Sequence, residues 1–579
     1  MKKWNLTELL ESKKPEDIID EIEKYVKEFK TYRTKKIDEK SLYEMLVLKD
    51  KILEHMMRVE GYFSMRFYEN TKDEEAASKL SYIKQIQTRI GNEMLFFSLS
   101  LIKLPNKKFQ ELLNSKKISS YKNYLKKIRK LKKYTLNERI EKILNIKNIS
   151  SSGFFDIYEH ITSSFEFKFE GKKLLEEELK AFCKNPDYKK REKAYNLLLK
   201  KYEEHKSELS EIYRNIVLDW YNEDILIRKY PKPISSRNMS NDLDDKTIDV
   251  LLKVIRKNNE VFQEYFRIKH SILTKKTKYA FSRYHIYAPY KIKARKYDYE
   301  YSKKYVLETF KKFDKRFYDS AKAIFDAKHV HSHPQKNKRG GAFCNLVSNK
   351  HLPYILLNHT DTIRDVFTMA HELGHGIHDV LSMKQPNLLQ HAPLPISETA
   401  SIFSEMIIAE RMLKETKNNK EKAYILFNLL DNQYASITRQ AYFVIFEIFA
   451  HENMSKGIEI KKLDEEYIKL LKEQFGEMEV PEIFKNEWNY IPHIHETPFY
   501  CYAYAFGNLL VLSLYEIYKK EGKSFIEKYV RFLESGGSKS PKELLYEMGL
   551  DINSEEFWQR GFEIIKDEIN LLKTLQKHL

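Results

Sequence analysis

The 579-residue chain begins with apolar positions that recur three and four residues apart. That repeat marks one face of a 3.6-residue helix. It predicts successive amphipathic helices over roughly 15–30, 38–58, 73–98, 106–113, 119–132 and 136–146. Tyr62–Phe67 reads as a connection between two of them, and Ile149-Ser150-Ser151-Ser152-Gly153 as a break. At Phe165 the pattern changes to strict alternation, Phe165-Glu166-Phe167-Lys168-Phe169, ending in Glu170-Gly171. This predicts one arm of a β-hairpin. Asn185-Pro186-Asp187 is a turn before a helical region from about 188 to 228, and helices return over 240–275 and 296–327. Tyr279–Tyr290 lies between those as a loop or short strand. Two short apolar runs flanked by Gly and Asn, Ala342–Val347 and Pro353–Asn358, read as strands. From 398 onward the pattern is helical, apart from loops near 453–460, 476–496 and 534–541. The fold class is therefore mainly α with a small β-sheet. A boundary near residue 190 gives an N-terminal helical domain, 1–190, and a second domain, 191–579.

Just after the second strand comes His371-Glu372-Leu373-Gly374-His375, which fits the pattern H-E-x-x-H. On a helix, positions i and i+4 lie about 40° apart and one turn along the axis. His371 and His375 can thus offer two nitrogens to one ion, and Glu372 can reach a water there as general base. Thr360-Asp361 provides an N-cap, and Ile363, Val366, Phe367, Ala370, Leu373, Ile377 and Leu381 keep near-helical spacing over Asp361–Leu381. Gly374 and Gly376 each cost about 1 kcal/mol against alanine in a helix. Their presence points to something that approaches the helix backbone closely.

A catalytic zinc usually takes three protein ligands and leaves one position for water. After Leu394-Pro395 a new helix is expected, with Glu398 in its first turn as the third ligand. Glu405, seven residues on, shares that face and can hydrogen-bond a ligating imidazole. A late aromatic cluster spans Ile491–Gly507. A helix after Pro498 would stack Tyr500 on Tyr504 at i, i+4. Phenols and an imidazole are suitable donors to an oxyanion beside a metal. The strand preceding the motif helix could pair by its edge with an extended peptide. Each feature also has a plainer reading: satisfied histidines on an ordinary helix, a surface carboxylate at Glu405, a tyrosine-rich core helix, a structural hairpin.

Composition narrows the class. A hydrophobic content of 42% supports a packed globular chain. The formal charge of +18 raises nucleic acid as a partner. Lysine is spread along the chain and mixed with Glu, and the densest run, Lys116–Lys133, reads as a solvated helix face. No nucleic-acid-binding motif accompanies it, so no nucleic-acid partner is expected. Cys183, Cys344 and Cys501 have no paired spacing, which excludes a disulfide framework and fits a reducing compartment. The start, Met1-Lys2-Lys3-Trp4-Asn5-Leu6-Thr7-Glu8, is basic but lacks an apolar core behind it, and no window approaches 18 apolar residues. A cytoplasmic protein without membrane association is expected.

The ordered set of motifs resembles the oligoendopeptidase F group of the thimet-oligopeptidase-like zinc metallopeptidases. The matching stretches are Lys338–Phe343, Pro353–Asn358, Met369–His375, Ser397–Ser401, Ile491–Gly507, Leu533–Ser538 followed by Pro541, and Trp4-Asn5-Leu6 near the start. The resemblance implies a mostly helical, two-lobed molecule with a deep substrate channel, and one zinc held by His371, His375 and Glu398. It implies Glu372 as catalytic base and His493, Tyr500 and Tyr504 as donors near the metal, with His495 and Tyr502 as competing registers. It implies endopeptidase action on oligopeptides. Alternatives are an exopeptidase (metallo-carboxypeptidase) on the same scaffold and a non-catalytic peptide-binding protein. The run His329-Val330-His331-Ser332-His333 departs from the family. At period 2 its three histidines would share one strand face. No carboxylate or Cys partner is evident for them, which leaves a second metal site as the weaker reading.

Overall fold

Pro15 opens the first helix, Pro15–Lys30, in the turn where a missing N–H costs nothing. Ile18, Ile22, Val26 and Phe29 then bury one face of it. The structure is a computed structural model that describes residues 4–275, 277–292 and 295–579. The basic start Met1–Lys3 and the side chain of Ile149 lie outside that description. Helices account for most of the chain, as the apolar periodicity predicts. Two predicted interruptions need correction. Glu39–Glu69 is one helix that runs through Tyr62–Phe67, because Phe63 and Met65 continue its buried stripe. Glu138–Ser151 runs into the expected break, and the next helix starts at Gly153.

By compactness the chain forms two units, each built from three segments. The first comprises Met1–Lys142, Ala294–Met412 and Tyr518–Leu550. The second comprises Ile143–Lys293, Leu413–Ile517 and Asp551–Leu579. The boundary drawn near residue 190 divides the chain along its sequence, and compactness in space follows a different partition.

The second unit carries the predicted hairpin. Strands β1 (Glu166–Phe169) and β2 (Lys172–Leu175) pair antiparallel, with Phe167 opposite Leu174. Glu170 and Gly171 turn the chain at φ 48° and 80°. Buried ion pairs join its helices: Arg283 to Glu487 at 2.9 Å and Lys269 to Asp431 at 2.6 Å.

The first unit holds a three-stranded sheet of β3 (Val330–His331), β4 (Phe343–Asn345) and β5 (Tyr354–Leu356). The order is β3-β5-β4, with β3 parallel and β4 antiparallel to β5. One edge of β4 therefore has no partner strand among the described residues. The Trp4 indole N–H reaches the carbonyls of His329 and Ile355, both at 3.0 Å, and so ties the start of the described chain to the sheet. Lys338 Nζ donates to the carbonyls of His331, His333 and Leu357 at 2.6–3.2 Å, which fixes the loop leading to β4. Burial pushes this ammonium down to about 8. His329, His331 and His333 do not converge. His329 Nε2 lies 2.9 Å from Glu8, His331 packs on Trp4, and His333 meets the Ser332 hydroxyl.

The motif helix, Ile363–Ser382, packs on β4, β5 and the helices Tyr299–Phe313, Lys315–Asp326 and Lys523–Glu534. The close approach expected at its glycines is present. A Cβ on Gly374 would fall 2.5 Å from Ser401 Cα and 2.6 Å from the Ala400 carbonyl oxygen. At Gly376 the nearest atom is the movable end of Ile324. Gly374→Ala is thus expected to destabilise the first unit by about 1–3 kcal/mol, because backbone must shift. Urea unfolding of that variant beside Gly376→Ala checks this, and equal stability of Gly374→Ala and the parent would refute it.

Candidate metal centre

Thr362 caps the motif helix and forms a capping box with Asp365: the Thr362 N–H donates to Asp365 at 2.8 Å, and the Asp365 N–H to the Thr362 hydroxyl at 3.3 Å. The cap falls just beyond the expected Thr360-Asp361, because Asp361 adopts a left-handed φ of 64°. Ile363, Val366, Met369, Ala370, Leu373 and Ile377 bury the apolar face and turn His371 and His375 toward a cleft. Glu398 comes from the junction between a one-turn helix, Leu394–Ser397, and the helix Thr399–Glu415. It lies at that break and not inside a first turn.

Three ligand atoms, one each from His371, His375 and Glu398, lie within 4.8 Å of one another. Glu398 Oε2 is 3.4 Å from His371 Nε2 and 3.2 Å from His375 Nε2. The same oxygen accepts from the Ser401 hydroxyl at 2.9 Å, which holds the carboxylate in place. Glu405 Oε1 lies 2.6 Å from His371 Nδ1. The carboxylate can only accept, so Nδ1 carries the proton and Nε2 keeps its lone pair for an ion. Two imidazoles and one carboxylate suit a catalytic zinc, with a position left over for water.

The electrostatics support a cation at this point. Burial pushes the His371 imidazole down, but Glu398 and Glu405 outweigh it and raise the ring well above its ordinary value. Burial pushes Glu398 up, and the two imidazoles reverse that and hold it below the usual carboxylate range. These carboxylates draw positive charge to one spot. A divalent ion there would displace the ring proton. Glu372, on the same helix, is buried, and burial raises its carboxyl above the usual range. A raised carboxyl suits a group that must take up a proton near neutral pH.

The ligands line a cleft of about 510 Å³ bordered by Ala342–Leu346, so β4 forms one wall. The opposite wall includes Gln390, His391 and Ala392. Gly537 N–H donates to the Leu389 carbonyl at 2.7 Å, and a Cβ on Gly536 would stand 2.5 Å from the Gln390 carbonyl oxygen. The Gly-Gly pair of Leu533–Ser538 thus grips the backbone of this wall. The sequence reading did not single out His378, Asp379 or Gln390. His378 is buried, its ring hydrogen-bonds the Ser397 backbone next to Glu398, and burial pushes it down to about 3. Asp379 stands at i+4 from His375, a spacing visible in the motif itself.

His493, Tyr500 and Tyr504 belong to the second unit. They are half-buried and grouped, with ring centres 5.2–6.1 Å apart. The expected helical stacking of the two tyrosines is corrected. The helix begins at Tyr502, and Tyr500 lies in the preceding turn. Phe499 there has φ 59°, and its N–H donates to Glu447 at 2.7 Å. The competing residues are engaged elsewhere in this unit. His495 is buried against Tyr158 and Tyr213, and the buried Tyr502 hydroxyl accepts from Asn241 at 2.7 Å.

Comparison with known proteins gives the family and the fold. The model of Peptidase family M3 matches residues 181–564, and that of Oligopeptidase F matches residues 101–167. The chain belongs to peptidase family M3. It is similar to an oligoendopeptidase F homolog of Borreliella burgdorferi, 29% identical with 99% of this chain and 98% of the relative covered. It is also similar to oligopeptidase PepF of Bacillus subtilis, 24% identical over 97% of this chain and 86% of the relative. The crystal structure of oligoendopeptidase-F from Enterococcus faecium has the same fold, with TM-score 0.74, 18% identity and coverage of 97% and 99%.

Removing the Glu405 acceptor frees the His371 ring to turn and change tautomer. Glu405→Ala is expected to weaken zinc binding by about 10–100-fold. Competition with a chromophoric chelator measures this, and an unchanged affinity would exclude the assigned role.

Proposed function

We propose that this family M3 peptidase is a zinc-dependent endopeptidase that hydrolyses internal bonds of short peptides. The observation that carries the reading is the convergence of His371, His375 and Glu398, with Glu372 on the same helix, in a cleft walled by an edge strand. His371, His375 and Glu398 would hold one zinc. When bound, zinc lowers the pKa of a water towards about 7 and polarises the scissile carbonyl. Glu372 takes a proton from the attacking water and delivers it to the leaving amine. Glu405 keeps the His371 ring oriented. The free edge of β4 hydrogen-bonds the peptide backbone, which reads no side chains and accepts varied sequences. The family resemblance assigns His493, Tyr500 and Tyr504 as donors to the tetrahedral oxyanion. Their rings are grouped within the second unit. Burial pushes the His493 imidazole down, so its ring is a neutral donor.

The proposed partners are oligopeptides, with no nucleic acid and no membrane. A cytoplasmic location fits the three cysteines, which form no disulfide, and the lack of any helix among the described residues long and apolar enough to cross a membrane.

Quenched-fluorescent peptides blocked at both ends test the reading. Internal cleavage is expected, lost on chelation and restored by zinc. Glu372→Gln is expected to lower kcat by about 10²–10⁴-fold while one zinc per chain stays bound. Full activity in that variant, or cleavage that survives chelation, would exclude the mechanism. Tyr504→Phe is expected to reduce kcat by about 10²–10³-fold with little change in KM. A rise in KM alone would reassign the hydroxyl to substrate binding.

A further inference from the structure

The cleft extends beyond the metal ligands, and its far part has a distinct chemistry. His371, His375 and Asp379 follow one another at i, i+4 and i+8 and so share one face of the motif helix. Asp379 thus stands about 6 Å further along the axis than His375. It lines the cleft together with Gln390 and the β4 residue Cys344. The Cys344 thiol, a weak donor, lies 3.7 Å from Asp379 Oδ2. Gln390 is 1% exposed, and neither its amide nitrogen nor its amide oxygen has a hydrogen-bond partner among the described residues. A buried amide without partners is costly, and native proteins keep few of them. No lysine or arginine lines this cleft among the described residues.

We propose that this part of the cleft is a specificity pocket for a basic side chain, lysine or arginine, next to the scissile bond of the substrate. Asp379 supplies the countercharge and the Gln390 carbonyl an acceptor. This rests on the endopeptidase reading above and adds a substrate preference to it. The argument is one of completeness. A peptide extended along β4 projects alternate side chains to one face, and Cys344, in the middle of that strand, is the residue that meets Asp379. A cationic head would give the Gln390 carbonyl the partner it lacks and Asp379 a charged partner beside its weak thiol contact. An apolar side chain would leave the Gln390 amide without a partner and Asp379 without a countercharge, and an acidic one would face Asp379 and Glu372. The metal ion offsets Glu398, which leaves Asp379 as the carboxylate one turn beyond the ligands. Burial pushes Asp379 up to about 7, against the pull of His375 and the Cys344 thiol. A carboxylate in a side-chain pocket selects basic residues in other peptidases, and sites built around polar groups reject side chains that leave them unpaired.

The test uses the full zinc-loaded chain and terminally blocked peptides identical except for lysine, arginine, norleucine or glutamate beside the cleaved bond, with products identified by mass. A kcat/KM at least about tenfold higher for lysine or arginine than for norleucine is expected. Asp379→Asn, which keeps shape and removes charge, is expected to erase most of that ratio. Gln390→Met is expected to reduce it less. No basic preference in the parent, or an equal loss on all peptides in Asp379→Asn, would overturn the pocket and leave the endopeptidase reading intact. If no peptide is cleaved, the endopeptidase reading fails. The pocket is then judged by calorimetric binding of the same peptides to zinc-loaded Glu372→Gln. Tighter binding of the lysine peptide, lost when Asp379→Asn is added, supports it, and equal affinities overturn it.

Discussion

The candidate metal centre depends on one close contact between two stretches of backbone. Glu398 can stand between two imidazoles only if residues 398–401 lie directly on the motif helix. Gly374 makes that approach possible, since a Cβ there would fall within 2.6 Å of Ser401 Cα and the Ala400 carbonyl oxygen. The neighbouring residues exploit the same closeness. Ser401 holds the Glu398 carboxylate, and the Tyr529 hydroxyl donates to the Thr399 carbonyl at 3.0 Å. A residue with low helix propensity thus sits inside the most functional helix of the chain, and the surrounding packing compensates its roughly 1 kcal/mol cost.

The second constraint is charge. Around two imidazoles the fold places Glu372, Glu398 and Glu405, and the cleft adds Asp379. Carboxylates held this close repel one another unless a cation sits among them. Glu398 and Glu405 raise the His371 imidazole against the effect of burial. Differences in environment then separate the carboxylates by role. Glu398 is held ionised between two rings, Glu405 orients one ring, and Glu372 is raised by burial and suited to proton transfer. The same residue type serves three purposes because each copy is surrounded differently.

What the sequence makes legible is local. H-E-x-x-H encodes its geometry in a four-residue spacing, and a glycine in a helix announces a neighbour without naming it. Helices and strands follow from apolar periodicity, and β4 and β5 form within the runs read as strands. The errors arise where a distant residue decides. Tyr500 leaves the helix because Glu447, 52 residues away in the chain, holds the Phe499 N–H. Gln390 is walled in by Gly536 and Gly537, about 146 residues later, and no periodicity reports that encounter. The two interleaved units are equally invisible, since an apolar stripe shows that a face is buried and not what covers it.

The interleaving has a consequence for how the chain reaches its native state. The first unit draws on segments as far apart as Met1–Lys142 and Tyr518–Leu550, and the second on Ile143–Lys293 and Asp551–Leu579. Trp4 finds its acceptors at His329 and Ile355, 325 and 351 residues further along the chain. The early helices bury their apolar faces in a core of their own, from Ile18 to Ile128, and it is the contacts to the sheet that wait for partners several hundred residues away. Such non-local pairing is slow and exposes sticky surface. The architecture that gathers the candidate ligands and the cleft within one unit therefore completes its sheet late, from segments far apart in the chain.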